Sequence, residues 1–141
     1  ISFFFYGEGK NVRDWLYVDD HVRALYAILT KGAVGKTYAI GGNAEMKNID
    51  IARCVCSILD EVCPRKNAKP YSDLITFVPD RPGHDLRYAI DSSKIHAELK
   101  WHPSETFQSG IKKTVLWYLE NVEWCEKIGK NIHQKRLGID I

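Results

Sequence analysis

The stretch VPDRPGHDLRYAID, residues 78–91, gathers two arginines, a histidine and three carboxylates around a Pro-Gly pair and lies between apolar segments. Pro82 fixes φ and Gly83 tolerates a positive φ, so the pair marks a tight turn that presents Arg81 and His84 together. Guanidinium groups hold phosphate oxygens in pairs, and a backbone N–H at or after Gly83 offers a further donor. Asp80 and Asp85 stand where they can hold the cations or answer hydroxyls. On chemistry alone two readings stay open: a surface turn laced with ion pairs, or one jaw of a diphosphate clamp.

On the amino-terminal side of this stretch, LITFV reads as a short strand and PRKNAKPYSD as a polar connection. Before them IDIARCVCSILDEVC reads as a helix that begins at Asn48 or Asp50, turns Ile51, Val55, Ile58, Leu59 and Val62 inward, and closes at Pro64. TYAIGG predicts a strand over residues 37–40 ended by two glycines. DDHVRALYAILTKG predicts a helix capped by Asp19 or Asp20, with Val22, Leu25, Tyr26 and Leu29 as its apolar stripe and Gly32 as its stop. FFFYG reads as extended chain running into the bend GEGKN. A lone Gly-x-Gly is more ordinary as a turn than as a dinucleotide cradle.

On the other side, residues 87–90 are extended and SSKIHAELKW is a short helix with a serine cap, stopped by His102-Pro103. From Glu105 onward one long helix is predicted, with Phe107, Ile111, Val115, Tyr118, Leu119 and Val122 facing inward. The tail after it has no period. Strands and helices thus alternate in a single α/β unit, residues 1–141, with few and short strands.

With 20 basic and 18 acidic residues the charge is too balanced for a nucleic-acid partner, so any anion site is local. No stretch has the length of a spanning helix and no secretory leader is indicated, which makes the cytoplasm the expected place. Cys54, Cys56, Cys63 and Cys125 lack paired metal-ligand spacing and read as reduced, mostly buried thiols. Arg13, in NVRDWLYVDD, is a second candidate anion ligand, or else a structural partner of Asp14 and Trp15. His21 reads as a structural helix residue, His96 and His102 receive no role, and the aromatics of LWYLENVEW read as packing.

Together, FYGEGKNVRDWLYVDDHVRAL, TYAIGGNAEMKNIDI, ITFVPDRPGHDLRYAIDSSKI and ETFQSGIKKTVLWYLEN resemble the carboxy-terminal part of the dTDP-glucose 4,6-dehydratase family of extended short-chain dehydrogenases/reductases. The resemblance runs in order from Phe4 to Gly138 and departs from the family at Phe4, where proline is usual, and at Ile132, where tyrosine is. It implies the carboxy-terminal, substrate-binding part of a Rossmann-type fold, with the amino-terminal NAD-binding half absent from this chain. It also implies that Arg13, Arg81 and His84 meet a nucleotide diphosphate, that Asn48 adds a polar contact, and that Phe4, Phe5 and Tyr6 border the nucleotide, with Asp80 in the same turn.

The activity so implied converts dTDP-glucose to dTDP-4-keto-6-deoxyglucose and water for deoxysugar biosynthesis. Oxidation at C4 by hydride transfer to NAD precedes loss of water across C5 and C6 and return of the hydride to C6. The residues that react, including a tyrosine-x-x-x-lysine pair, are expected outside this chain, in which no tyrosine is expected to be so followed. NAD is expected in the whole enzyme, and neither cofactor nor metal on the chain alone. Expected partners are a dTDP-sugar, bound weakly, a separately encoded amino-terminal half, and a second copy in a homodimer. The alternatives are a non-catalytic remnant that binds a nucleotide sugar or protein partner, and part of a UDP-sugar epimerase or decarboxylase.

Overall fold

The computed structural model describes residues 2–129. Ile1 and residues 130–141, and with them the tail and position 132, lie outside the described residues. Two short ladders carry the site. Strand β1 (Phe3–Tyr6) runs parallel to β4 (Ile75–Val78), with Phe3 opposite Ile75 and Tyr6 opposite Val78. Strand β2 (Val12–Asp14) runs antiparallel to β3 (Glu45–Lys47), with Arg13 opposite Met46. The meagre sheet expected from the sequence is therefore two pairs of strands among the described residues.

The other edge of β2 meets the quoted stretch. Val12 N–H donates to the Leu86 carbonyl at 2.7 Å, and Tyr88 N–H returns to the Val12 carbonyl at 3.1 Å. Asp14 secures β2 from a further side, since its carboxylate accepts the N–H groups of Gly42 at 2.8 Å and Ala44 at 2.7 Å. A Cβ on Gly42 would lie 2.1 Å from the Trp15 carbonyl oxygen, so the second glycine of the pair is demanded by this close approach.

Among the described residues five α-helices pack around the ladders: α1 (Val18–Lys31), α2 (Asn48–Val62), α3 (Ser93–Leu99), α4 (Phe107–Glu120) and α5 (Val122–Gly129). Ala24 of α1, Ile95 and Leu99 of α3, and Trp101 form a core, with Leu16, Ile28, Tyr38 and Ile40 packed against it. Helix α2 begins at Asn48 and ends before Pro64, as its sequence predicts, but buries Ile49, Ile51 and Cys56, leaving Val62 exposed.

Several local expectations are corrected. Residues 37–40 form no ladder, although Tyr38 and Ile40 turn inward while Thr37 and Ala39 face out. Their β-like alternation is real, but no partner strand lies beside them among the described residues. Neither Asp19 nor Asp20 caps α1, which has Tyr17 at its N-cap without a side-chain bond. Ser92 likewise makes no cap bond, and Asp91 accepts the Ser93 N–H at 2.9 Å instead.

The long helix predicted from Glu105 is two helices. Thr106 and Ser109 close a capping box at the start of α4, and the chain breaks at Asn121, whose backbone N–H and Nδ2 both donate to the Trp117 carbonyl, at 3.0 and 2.8 Å. Val115 is buried as expected, but Tyr118, Leu119 and Val122 are exposed. Of the cysteines only Cys56 is buried, and Cys63 is exposed.

The apolar stripe of α1 faces outward: Val22, Leu25, Tyr26 and Leu29 are 51–83% exposed, while Asp20, Ala24 and Ile28 face the core. Asp20 decides this orientation. Fully buried, it accepts the N–H groups of Ser104 at 2.9 Å and Glu105 at 3.0 Å, the Ser104 hydroxyl at 2.9 Å, and a guanidinium N–H of Arg23. Burial pushes its carboxyl up, but these bonds outweigh burial and hold it below the usual range.

Replacing Asp20 by Asn is expected to lower unfolding free energy by about 2 kcal/mol at pH 7, read by urea denaturation. Because the folded carboxyl is depressed, its contribution is present above the unfolded value of about 3.9 and is lost as pH falls below it. The gap between wild type and variant should close as pH is lowered from about 5 to 2; a constant gap contradicts the assignment.

Candidate diphosphate clamp

The loop after β4 returns across β2 because Pro82 and Gly83 turn it. Gly83 has φ +69°, and nothing lies within 4 Å of where its Cβ would be, so conformation alone demands glycine. The turn brings His84 back beneath Asp80 and against Arg13, residues far apart in the chain. His84 Nδ1 lies 2.7 Å from Asp80 Oδ1, and its Nε2 lies 3.3 Å from Arg13 Nη2. The imidazole side chain is only 9% exposed and meets the Tyr6 ring edge-on at 5.9 Å.

Arg13 is held on several sides. It donates to the Val12 carbonyl at 2.6 Å and the Asp85 carbonyl at 3.2 Å, and its guanidinium carbon lies 4.3 Å from the centre of the Tyr88 ring. The Tyr88 hydroxyl donates to the Asp85 carboxylate, which raises the phenol's pKa, while the charges of Arg13 and Arg81 both oppose that rise. Asp85 answers that hydroxyl with its carboxylate and Arg13 only with its carbonyl.

The stretch's two arginines part company. Arg87 is forked onto Glu45, at 2.6 and 2.8 Å, and this pairing holds the Glu45 carboxyl below its usual range. Arg81 is exposed, and among the described residues its guanidinium donates no hydrogen bond, although its backbone N–H donates to Asp80 at 2.8 Å. The hydrogen bond from His84, with help from the Arg81 N–H and charge, keeps the Asp80 carboxyl low and ionised.

Behind this cluster lies a cavity of about 450 Å³ whose wall includes Phe4, Phe5, Tyr6, Asn48 and His84. Five of the eight residues singled out in the sequence thus line one hollow. Asp80 and Arg13 reach it only through His84, and Arg81, whose backbone N–H donates to Asp80, does not line it. Sequence reading missed Asn11, which is 4% exposed, lines the same cavity, and donates to the Asp85 carbonyl at 3.2 Å. It also missed Tyr88. An asparagine in a Gly-rich bend looks like turn chemistry, and only burial reveals otherwise.

A larger hollow of about 940 Å³ lies on the other side of Trp15, walled by aromatics including Phe107, Trp117 and Trp124. Its charged lining residues are Asp19 and Glu105, the latter paired with Lys113 at 2.6 Å.

The described residues do not fit an NAD cradle. Gly7 and Gly9 turn β1 into β2 instead of opening a helix, and a Cβ on Gly9 would lie 2.9 Å from the Ile49 Cβ. The first turn of α1 carries Asp19 and Asp20, which oppose a pyrophosphate there. Contrary to expectation, Tyr6 and Lys10 do stand four residues apart, but they lie on a strand and a bend, and Lys10 pairs with Glu8. That spacing joins two side chains only on a helix face.

The sequence model of GDP-mannose 4,6 dehydratase matches residues 2–114. The chain belongs to that family. A dTDP-glucose 4,6-dehydratase of Shigella flexneri is 55% identical over 129 residues, which are 92% of this chain and 35% of that protein. The solved dTDP-glucose 4,6-dehydratase of Bacillus anthracis, in complex with NAD, superposes with TM-score 0.74 at 41% identity over 87% of this chain and 36% of its own. DesIV, the dTDP-glucose 4,6-dehydratase of Streptomyces venezuelae, with NAD and TYD bound, gives 0.75 at 37% identity over 87% and 35%.

The chain spans about a third of the length of the curated relatives it matches, and it matches their carboxy-terminal portion. Its fold is the corresponding part of an extended short-chain dehydrogenase/reductase of Rossmann type. Among the described residues no helix is long and apolar enough to cross a membrane.

Since only backbone conformation demands glycine at 83, Gly83→Ala should cost about 1 kcal/mol in urea denaturation. A loss beyond about 3 kcal/mol would mean that the space around it is filled.

Proposed function

We propose that residues 78–91 and β2 close on the diphosphate of a dTDP-sugar, and that this chain is the substrate-binding part of a dTDP-glucose 4,6-dehydratase. The observation that carries the reading is His84, which touches both Asp80 and Arg13 and lines the cavity together with Phe4, Phe5, Tyr6 and Asn48. Arg81, uncommitted and exposed, supplies the fork for one phosphate, and Arg13, already oriented, the fork for the other. The aromatic wall offers faces to the base, and the Asn48 amide offers donors and an acceptor to polar groups.

Hydride transfer and loss of water belong, in this reading, to the remainder of a full-length enzyme, which also carries NAD. The outward apolar face of α1 and the aromatic hollow beside Trp15 are surfaces that such a remainder would cover, on the same chain or a separate one. Left open, they favour self-association.

Calorimetry with dTDP-glucose tests the clamp. Weak binding is expected from this chain, because a cleft with one wall buries little ligand. Arg13→Ala and Arg81→Ala should each weaken it on the order of tenfold, and Arg87→Ala should not. Tighter binding of UDP-glucose than of dTDP-glucose would point instead to an epimerase or decarboxylase.

Addition of the amino-terminal two thirds of the Shigella flexneri enzyme should yield a 4-keto-6-deoxy sugar; assembly without product would favour a non-catalytic remnant. In light scattering, Leu25→Lys with Leu29→Lys should reduce association of the chain, and an unchanged profile would contradict the role of that face.

A further inference from the structure

His84 touches a cation and an anion at once, and the pair of contacts fixes where its proton sits. A guanidinium cannot accept a hydrogen bond, so the 3.3 Å contact with Arg13 Nη2 makes Nε2 the acceptor. The one proton of a neutral imidazole is then on Nδ1, which donates to Asp80 at 2.7 Å. Asp80 is 43% exposed at its side chain, and no contact ties it directly to Arg13 among the described residues.

We infer that Asp80 is a positioning residue that sets the tautomer of His84 and through it the stance of Arg13, and that the diphosphate exchanges places with His84 as Arg13's partner while His84 gains a proton. The inference rests on the diphosphate reading above and deepens it. In the free chain, Nε2 and the Asp85 carbonyl accept from Arg13. When phosphate oxygens take over the guanidinium, Nε2 is left facing an anion without a hydrogen. A proton from solvent fills that position, and the imidazolium, balanced by Asp80, donates to the phosphate.

The surroundings agree in sign. From the loop itself His84 faces Asp80, and near them lie Arg81, Asp85 and Tyr88; from β2 comes Arg13, and from β1 the Tyr6 ring. From α2 the cavity receives Asn48 and Cys56, whose thiol burial keeps protonated and neutral. Asp80 is thus the anion in direct contact with His84, and Arg13 the cation whose charge must be answered before a second positive charge forms beside it.

Two measurements on the chain decide the matter. Long-range proton–nitrogen NMR of the free chain at pH 8 is expected to show His84 with a bare Nε2 and a protonated Nδ1; the opposite tautomer overturns the inference. In Asp80→Asn the two tautomers should mix. The second is calorimetry with dTDP-glucose, whose diphosphate diester does not titrate near neutrality, in buffers of different ionisation enthalpy.

Binding at pH 7.5 should take up a measurable fraction of a proton. Asp80→Asn should abolish most of that uptake and weaken binding on the order of fivefold, while Asp80→Glu restores part of both. His84→Gln, which keeps an amide acceptor for Arg13, should bind with no uptake. Binding with no proton uptake in wild type overturns the inference while sparing the diphosphate reading. Failure of dTDP-glucose to bind, with the Nδ1-protonated tautomer present, overturns the diphosphate reading and the proton exchange alike, and leaves Asp80 holding the tautomer alone.

Discussion

Everything in the described structure that bears on an anion hangs on four residues of extended chain, 11–14, which have neighbours on both edges. On one side β2 pairs with β3; on the other Val12 exchanges backbone hydrogen bonds with Leu86 and Tyr88. The Asn11 carbonyl accepts the N–H that opens α2, and the Asp14 carboxylate holds the glycine pair and Ala44. A segment with its backbone satisfied on both edges is rigid, and Arg13 in its middle inherits that rigidity. From this fixed strand the guanidinium reaches the Val12 and Asp85 carbonyls, His84 and the Tyr88 ring, which together hold it.

The charges around it are arranged so that none is stranded and one is spare. Arg87 is spent on Glu45, Asp85 on the Tyr88 hydroxyl, and Asp80 on His84, which leaves Arg81 free to meet an incoming anion. Holding Arg13 beforehand reduces the side-chain entropy lost on binding, whereas Arg81 must lose its freedom at that moment. In the proposed clamp, Arg13 is thus the cation held in advance and Arg81 the exposed one.

The same logic explains the turn of α1. An apolar stripe of four residues would ordinarily choose the inner face, yet the helix buries an aspartate instead. A carboxylate that satisfies two backbone N–H groups and a hydroxyl contributes more, in this place, than half-burying side chains for which the described residues offer no surface. The exposed stripe and the aromatic hollow accompany a chain that spans a third of its relatives' length.

Local chemistry was legible in the residues: the Pro-Gly turn, β4, the start and stop of α2, and the candidacy of Arg13, Arg81 and His84 all follow from side-chain type and spacing. Such features depend on near neighbours in the chain, so a one-dimensional pattern carries them. Tertiary structure alone decided that residues 37–40 lack a ladder, that Asn121 divides the helix predicted from Glu105, and which of two arginines is free. It also joined His84 to Arg13 across 71 positions. Each of these turns on where a distant donor, acceptor or apolar surface lies, and hydrogen bonds between remote groups leave no period in a sequence.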